Sequence, residues 1–270
     1  MNKLLIFSIA ATSLMVGGAA SAADVGMPVR ALPPGPPPFS WTGFYIGGDL
    51  GGLWTRNVTG RWDPLPTVPA FGTFPITGSL NTSALVGGVH AGYNWQFAPT
   101  WVAGVEADWS WTNASASFTQ PWTSIPASPT PGLRPAALTR MSIQENWLVT
   151  ARARIGYLVT PATLVYFTGG GAWGQVGYTA SAINEPTHTP RFISASAFSK
   201  TVGGYVLGGG LEYVFSNNWS VRVEYLVYRL NTAAAAIAPD STGNSATTPS
   251  GFTWSNSDIQ SARAGLSYKF

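Results

Sequence analysis

Only two side chains in this chain of 270 residues, His90 and His188, carry an imidazole that would exchange protons near neutral pH. His90 lies in an alternating stretch where Asn94 and Gln96 share its parity, so a hydrogen-bonded structural role is expected of it. His188 sits two residues before Pro190, and no spacing ties it to a serine and a carboxylate as nucleophilic catalysis would require. Cysteine is absent, which removes thiolate chemistry and disulfides, and two isolated histidines make a poor metal site. Gly169-Gly170-Gly171 and Gly208-Gly209-Gly210 have neither the Gly-Lys-Ser/Thr sequel nor the following helix of a phosphate loop. Close strand packing and curvature explain them better. The chain therefore reads as a non-enzyme, with no catalytic, metal or cofactor residues.

Regularly placed charges remain. Asp49, Glu106, Asp108, Glu212 and Glu224 are matched by Arg152, Arg154, Arg222, Arg263 and Lys269, with His90 and several amides nearby. Near-balance of this kind supports ion pairing rather than turnover, since unpaired charges in a confined space are costly.

The elements that must position these charges are strands. From Leu85 to Phe97 the odd positions are apolar, aromatic or small while His90, Asn94 and Gln96 are even; after Ala98-Pro99-Thr100 the pattern resumes, with Trp101, Val105, Trp109 and Trp111 opposed to Glu106, Asp108 and Ser110. That period of two predicts a hairpin with unlike faces. The same pattern recurs over 41–53, 147–159, 201–215, 219–228 and 258–270, and less cleanly over 163–176, where the facing is left open. Thr160-Pro161-Ala162 and Ser216-Asn217-Asn218 supply two further tight turns. Long loops are expected at 54–84, 112–142, 177–200 and 229–257; in the first, Pro64, Pro66, Pro69 and Pro75 argue against a central sheet position.

Charged residues are only 9% of the chain, against about 25% in soluble domains, too few to cover a water-facing surface. Lys3, the apolar run Leu4 to Val16 and Ala20-Ser21-Ala22 read as an export signal over 1–22, cleaved after Ala22. Residues 23–40, with Pro33-Pro34-Gly35-Pro36-Pro37-Pro38, read as a periplasmic tether. Over 41–270, tight turns alternate with long loops, as in an eight-stranded antiparallel up-and-down transmembrane β-barrel. Lipid leaves no partner for open sheet edges, so the last strand should pair with the first. The apolar faces then point to lipid, while the balanced charges and His90 fill a salt-bridged interior. Trp95, Trp101, Trp147, Tyr157, Trp219 and Tyr268 are expected at the lipid boundaries. A soluble periplasmic barrel enclosing its aromatics is the rival fold, but so few charges are thin cover for it.

Several stretches carry a resemblance: Trp41-Thr42-Gly43-Phe44-Tyr45-Ile46-Gly47-Gly48 after the proline-rich leader, Arg152-Ala153-Arg154-Ile155-Gly156-Tyr157, Tyr166-Phe167-Thr168-Gly169-Gly170, and Gly210-Leu211-Glu212-Tyr213 leading into Asn218-Trp219-Ser220-Val221-Arg222. In combination they resemble the small outer-membrane β-barrel, porin-like surface proteins of alphaproteobacteria, with an OmpA-like or OmpX-like eight-stranded barrel. The resemblance implies that Tyr268 and Phe270 form the signal read by the barrel-assembly machinery. It does not extend to the proline-rich loops.

The expected role is structural and surface-interacting, in the outer membrane, with outer-membrane lipid and lipopolysaccharide as surroundings. A narrow porin-type channel for small solutes is the alternative. Loop-mediated binding of haem or a host surface is another, with Trp54, Trp62, Trp122 and His188 as conceivable haem contacts. Scattered arginines and three lysines form no basic stripe, so nucleic acid is not a partner. Oligomeric state is not set by the sequence.

Overall fold

Alternation at period two builds strands, and in the computed structural model eight of them close into a ring. Residues 39–64, 76–121, 136–185, 193–238 and 250–270 are described. The export signal with Ala20 and Ala22, the tether up to Pro38, Trp122 and His188 lie outside them. In chain order the strands are β1 Gly43–Arg56, β2 Thr59–Pro64, β3 Ile76–Ser79, β4 Ser83–Ala98, β5 Trp101–Pro121, β6 Ala136–Thr160, β7 Thr163–Glu185, β8 Ile193–Ser216, β9 Trp219–Leu230, β10 Ala234–Ala238, β11 Ser250–Trp254 and β12 Ser257–Lys269. The barrel runs β1-β12-β9-β8-β7-β6-β5-β4, and a second sheet runs β10-β11-β2-β3. Closure is antiparallel between first and last strands, from Tyr45 opposite Lys269 to Arg56 opposite Asp258.

Tight turns join β4 to β5, β6 to β7 and β8 to β9 at one end of the barrel, here the turn end. From there the outer wall is apolar: Phe44, Leu50, Leu85, Val105, Phe167 and Val223 are all more than half exposed. The facing of 163–176 is resolved, with Leu164 and Tyr166 inward and Val165 and Phe167 outward. Aromatics pair at the edges of this band: Trp101 on Tyr157 (5.4 Å) and Trp219 on Tyr268 (5.1 Å) at the turn end, Trp109 on Trp147 (5.7 Å) at the other.

Beyond Trp111 and Trp147 the stretches expected to be loops are largely strand. β5 continues to Pro121, β6 begins at Ala136, β7 reaches Glu185 and β8 starts at Ile193. Their alternation persists but its sense reverses: Ala114, Met141, Ile143, Val176, Tyr178 and Ala180 are buried inside, while Ser115, Ser117, Gln144 and Thr179 face out. The expected loops 54–84 and 229–257 supply the second sheet. Contrary to the proline argument, β2 is a central strand of that sheet, between β11 and β3. Pro64 is its last residue, where a missing N–H interrupts no ladder further along, and Pro66, Pro69 and Pro75 fall outside the described residues.

The second sheet caps the far end of the barrel. Trp62, Leu80, Phe252, Trp254 and Ala238 from the cap join Leu53, Val86, Met141, Tyr178, Leu226 and Tyr228 from the barrel in one apolar core. Side-chain bonds link cap and wall, Ser194 Oγ to the Ala238 carbonyl (3.0 Å) and Thr82 Oγ1 to the Ser115 carbonyl (2.7 Å). A smaller apolar cluster of Trp41, Val102, Leu158, Leu164 and Tyr166 closes the turn end.

Candidate functional site

Between these two apolar plugs lies a layer of buried charge. Strand parity puts Asp49 of β1, Glu106 and Asp108 of β5, Arg152 and Arg154 of β6, Glu212 of β8, Arg222 and Glu224 of β9 and Arg263 of β12 on the inner wall, all less than a tenth exposed. Two glycines leave room for them. A Cβ at Gly265 would lie 2.2 Å from Asp49 Oδ1, and one at Gly47 would lie 2.4 Å from His90 Nε2.

The ion pairs form one connected set. Arg222 grips Asp49 with Nε (3.0 Å) and Nη2 (2.9 Å) and reaches Glu106 Oε2 with Nη1 (2.6 Å). This bidentate fork fixes orientation as well as charge. Arg152 donates through Nη2 to Glu106 Oε1 (2.5 Å), lies 3.2 Å from Asp108 Oδ2, and meets Glu224 Oε1 through Nη1 (2.9 Å). Arg263 donates to Asp108 Oδ1 (3.1 Å) and to the Tyr228 hydroxyl. Arg154 joins Glu212 (3.2 Å) and Asn94 Oδ1 (2.8 Å), with Tyr45 and Tyr166 rings 4.7 and 5.1 Å from its guanidinium carbon. His90 lies between Asp49 Oδ2 (2.7 Å) and Ser267 Oγ (2.9 Å).

Sequence reasoning placed Lys269 in this set, but the structure does not. Its ammonium is half-buried at the turn end, donating to the Ser40 carbonyl (2.5 Å) and lying 4.8 Å over the Phe39 ring. The inward parity was correct; the position is too near the strand's end to reach the carboxylates. The same contacts hold Phe39 and Ser40, the last residues of the expected tether, against the barrel. The phenols and hydroxyls that complete the layer were missed: Tyr45 donates to Glu106 Oε2 (2.8 Å), Tyr166 to Glu224 Oε1 (3.2 Å), Ser220 to Glu212 Oε1 (2.6 Å) and Thr150 to Asp108. Tyr45 shares parity with Asp49, and that was the available signal. Parity alone puts Tyr45 on the inner face but names no partner for its hydroxyl.

This arrangement neutralises and cross-links; the Ser267 hydroxyl beside His90 is buried with it inside the barrel, and no cluster of three or more potential metal ligands occurs among the described residues. Of the conceivable haem contacts, the two among the described residues are not brought together. Trp54 sits on the outer wall, bonded to Gln260 (2.7 Å), whereas Trp62 is buried under the cap.

A sequence profile described as "Outer membrane protein beta-barrel domain" matches residues 9–270. The chain belongs to that family. This outer membrane β-barrel protein is 34% identical over 277 residues to the 31 kDa outer-membrane immunogenic protein of Brucella melitensis biotype 1, covering 100% of both chains. It is 29% identical to the 22 kDa outer membrane protein of Rhizobium leguminosarum bv. viciae, over 70% of this chain and 64% of that one. The crystal structure of the outer membrane protein OprG from Pseudomonas aeruginosa is similar at 13% identity and TM-score 0.45, covering 85% of this chain and 96% of that one. The protein resides in the outer membrane of a Gram-negative cell.

Proposed function

We propose that this outer-membrane barrel is a sealed structural element that displays its cap to the exterior, and that it neither conducts solutes nor catalyses a reaction. One observation carries the reading: three successive interior layers, the Trp41 cluster, the ionic layer and the cap core, are each filled by side chains. The cleft between Trp41, Tyr45, Glu212 and Lys269 at the turn end encloses only about 10 Å³, at the threshold for a single water. Short turns in such barrels face the periplasm, which puts the cap outside.

In this reading residues 1–22 are an export signal cut after Ala22, and 23–38 are a periplasmic tether. Tyr268 on β12 and Phe270 just after it are the contacts offered to the barrel-assembly machinery during insertion. Lipopolysaccharide surrounds the wall above the Trp109–Trp147 pair.

Planar-bilayer recording tests the sealed state. A flat baseline at moderate voltage is expected from the purified barrel, and steady single-channel steps would favour the narrow-porin alternative instead.

A further inference from the structure

Glu145 belongs to neither the ionic layer nor the outer surface. It lies on β6 just past Trp147, where the register between β6 and β7 slips, and so beyond the lipid-facing band. Its side chain turns inward among the apolar core residues Ile143, Leu148, Val176 and Tyr178, is 3% exposed, and has no hydrogen-bond partner at Oε2. Its neighbours in register are Ala114 on β5 and Val176 on β7. The titratable groups around it are few. Tyr178 on β7 interacts with it electrostatically, and burial raises that phenol to about 12, so it stays protonated. Lys200 on β8 lies opposite Val176 in the same row but is solvent-exposed. Tyr228, Asp108, Arg152 and Arg263 belong to the layer below and pair with one another. The cap strands β2 and β11 present Trp62, Phe252 and Trp254 to this core and no charge.

We infer that Glu145 is a proton-controlled latch: protonated, it lets the cap sheet seat on the barrel, and ionised, it loosens the cap while leaving the ionic layer and the lipid-facing wall in place. The route from Glu145 to the cap is short. Tyr178 stacks edge-on against Trp254 of β11 (5.2 Å) and lies parallel to Phe198 (5.0 Å), and its hydroxyl donates to the Thr232 carbonyl (2.6 Å) in the link between β9 and β10. A charge developing beside Tyr178 must be hydrated, and water reaches it only if these contacts part.

The sign follows from burial. Desolvation raises the Glu145 carboxyl from 4.5 to about 7, so the closed form holds its proton more tightly than an open, solvated form would. Seating is therefore strongest at acid pH, weakens as pH rises through the interval from 4.5 to 7, and levels off above it. Between pH 5.5 and 8.5 those two values correspond to an opening equilibrium larger by about 30-fold.

Hydrogen exchange of the full chain in detergent micelles tests this, with rates corrected for intrinsic pH dependence. Amides in Thr59–Asp63 and Gly251–Trp254 are expected to lose about 30-fold in protection from pH 5.5 to 8.5, while those in Ala103–Ala107 do not change. Glu145→Gln should abolish the pH response, and Glu145→Leu serves the same purpose if the amide variant folds poorly. Equal protection of the wild-type cap at both pH values, or an undiminished response in the folded variants, would overturn the inference.

Discussion

Strands β5 to β8 cross two regions with opposite arrangements. On the turn side of Trp111 and Trp147 the wall is apolar outside and charged inside; past them Ser115, Ser117 and Thr179 face out while Ala114, Met141 and Tyr178 face in. The backbone ladder is continuous through the change, apart from register slips near Trp111–Ala114 and Glu145–Trp147. Hydrogen bonding within the sheet therefore does not decide which face is apolar. The surrounding medium does, with acyl chains on one length of the strand and water on the other.

The two regions should also fail differently when perturbed. Glu106 sits among Arg152, Arg222 and Tyr45, so Glu106→Leu leaves guanidinium charge uncompensated in a sealed interior. A loss of about 3–5 kcal/mol is expected, read from urea-unfolding midpoints and from loss of heat-modifiable migration on gels. In the cap core, Met141→Ala removes a fully buried side chain and should cost about 2–5 kcal/mol. That loss should appear first as faster proteolysis of the cap, with the barrel still heat-modifiable.

The outer faces give a paired test. Val105→Arg at mid-band puts a cation into acyl chains and should destabilise by about 2–4 kcal/mol. Ser117→Arg, outward on the same strand but in the water-facing region, should stay within about 0.5 kcal/mol. Equal effects at the two positions would remove the distinction between the regions. A finer probe is Tyr45→Phe, which deletes one hydrogen bond to a carboxylate and should cost about 1.5–3 kcal/mol by the same unfolding assay, less than Glu106→Leu.

The membrane-facing half was legible because one parity collects Trp101, Val105, Trp109 and Trp111 while the other collects Glu106 and Asp108. That contrast survives any short window and gave strand pairing, closure and most of the ionic layer. The upper half was hidden by its reversal of phase: in Thr112 to Gln120, Ala114, Ala116 and Phe118 do alternate with Asn113, Ser115, Ser117 and Thr119, but in the opposite sense. Across the switch at Thr112 the alternation cancels, and small polar residues then read as loop. Parity puts Tyr45 on the face of Asp49, but for Tyr45, Tyr166 and Tyr228 alike it does not reveal the role of the hydroxyl. A phenol suits a lipid boundary and a carboxylate partner equally well, and only the three-dimensional register decides between them. Glu145 was hidden because the bulge beside Asn146 shifts parity within β6.

A nitroxide scan along β5 from Trp101 to Gln120, comparing oxygen with a water-soluble nickel reagent, addresses the inverted packing most directly. Odd positions should be oxygen-accessible up to Trp111 and nickel-accessible from Asn113 onward, with Glu106, Asp108, Ala114 and their even-numbered neighbours shielded from both. Nickel access at odd positions along the whole strand, or at Glu106 and Asp108, would contradict a lipid-facing wall around a filled ionic interior.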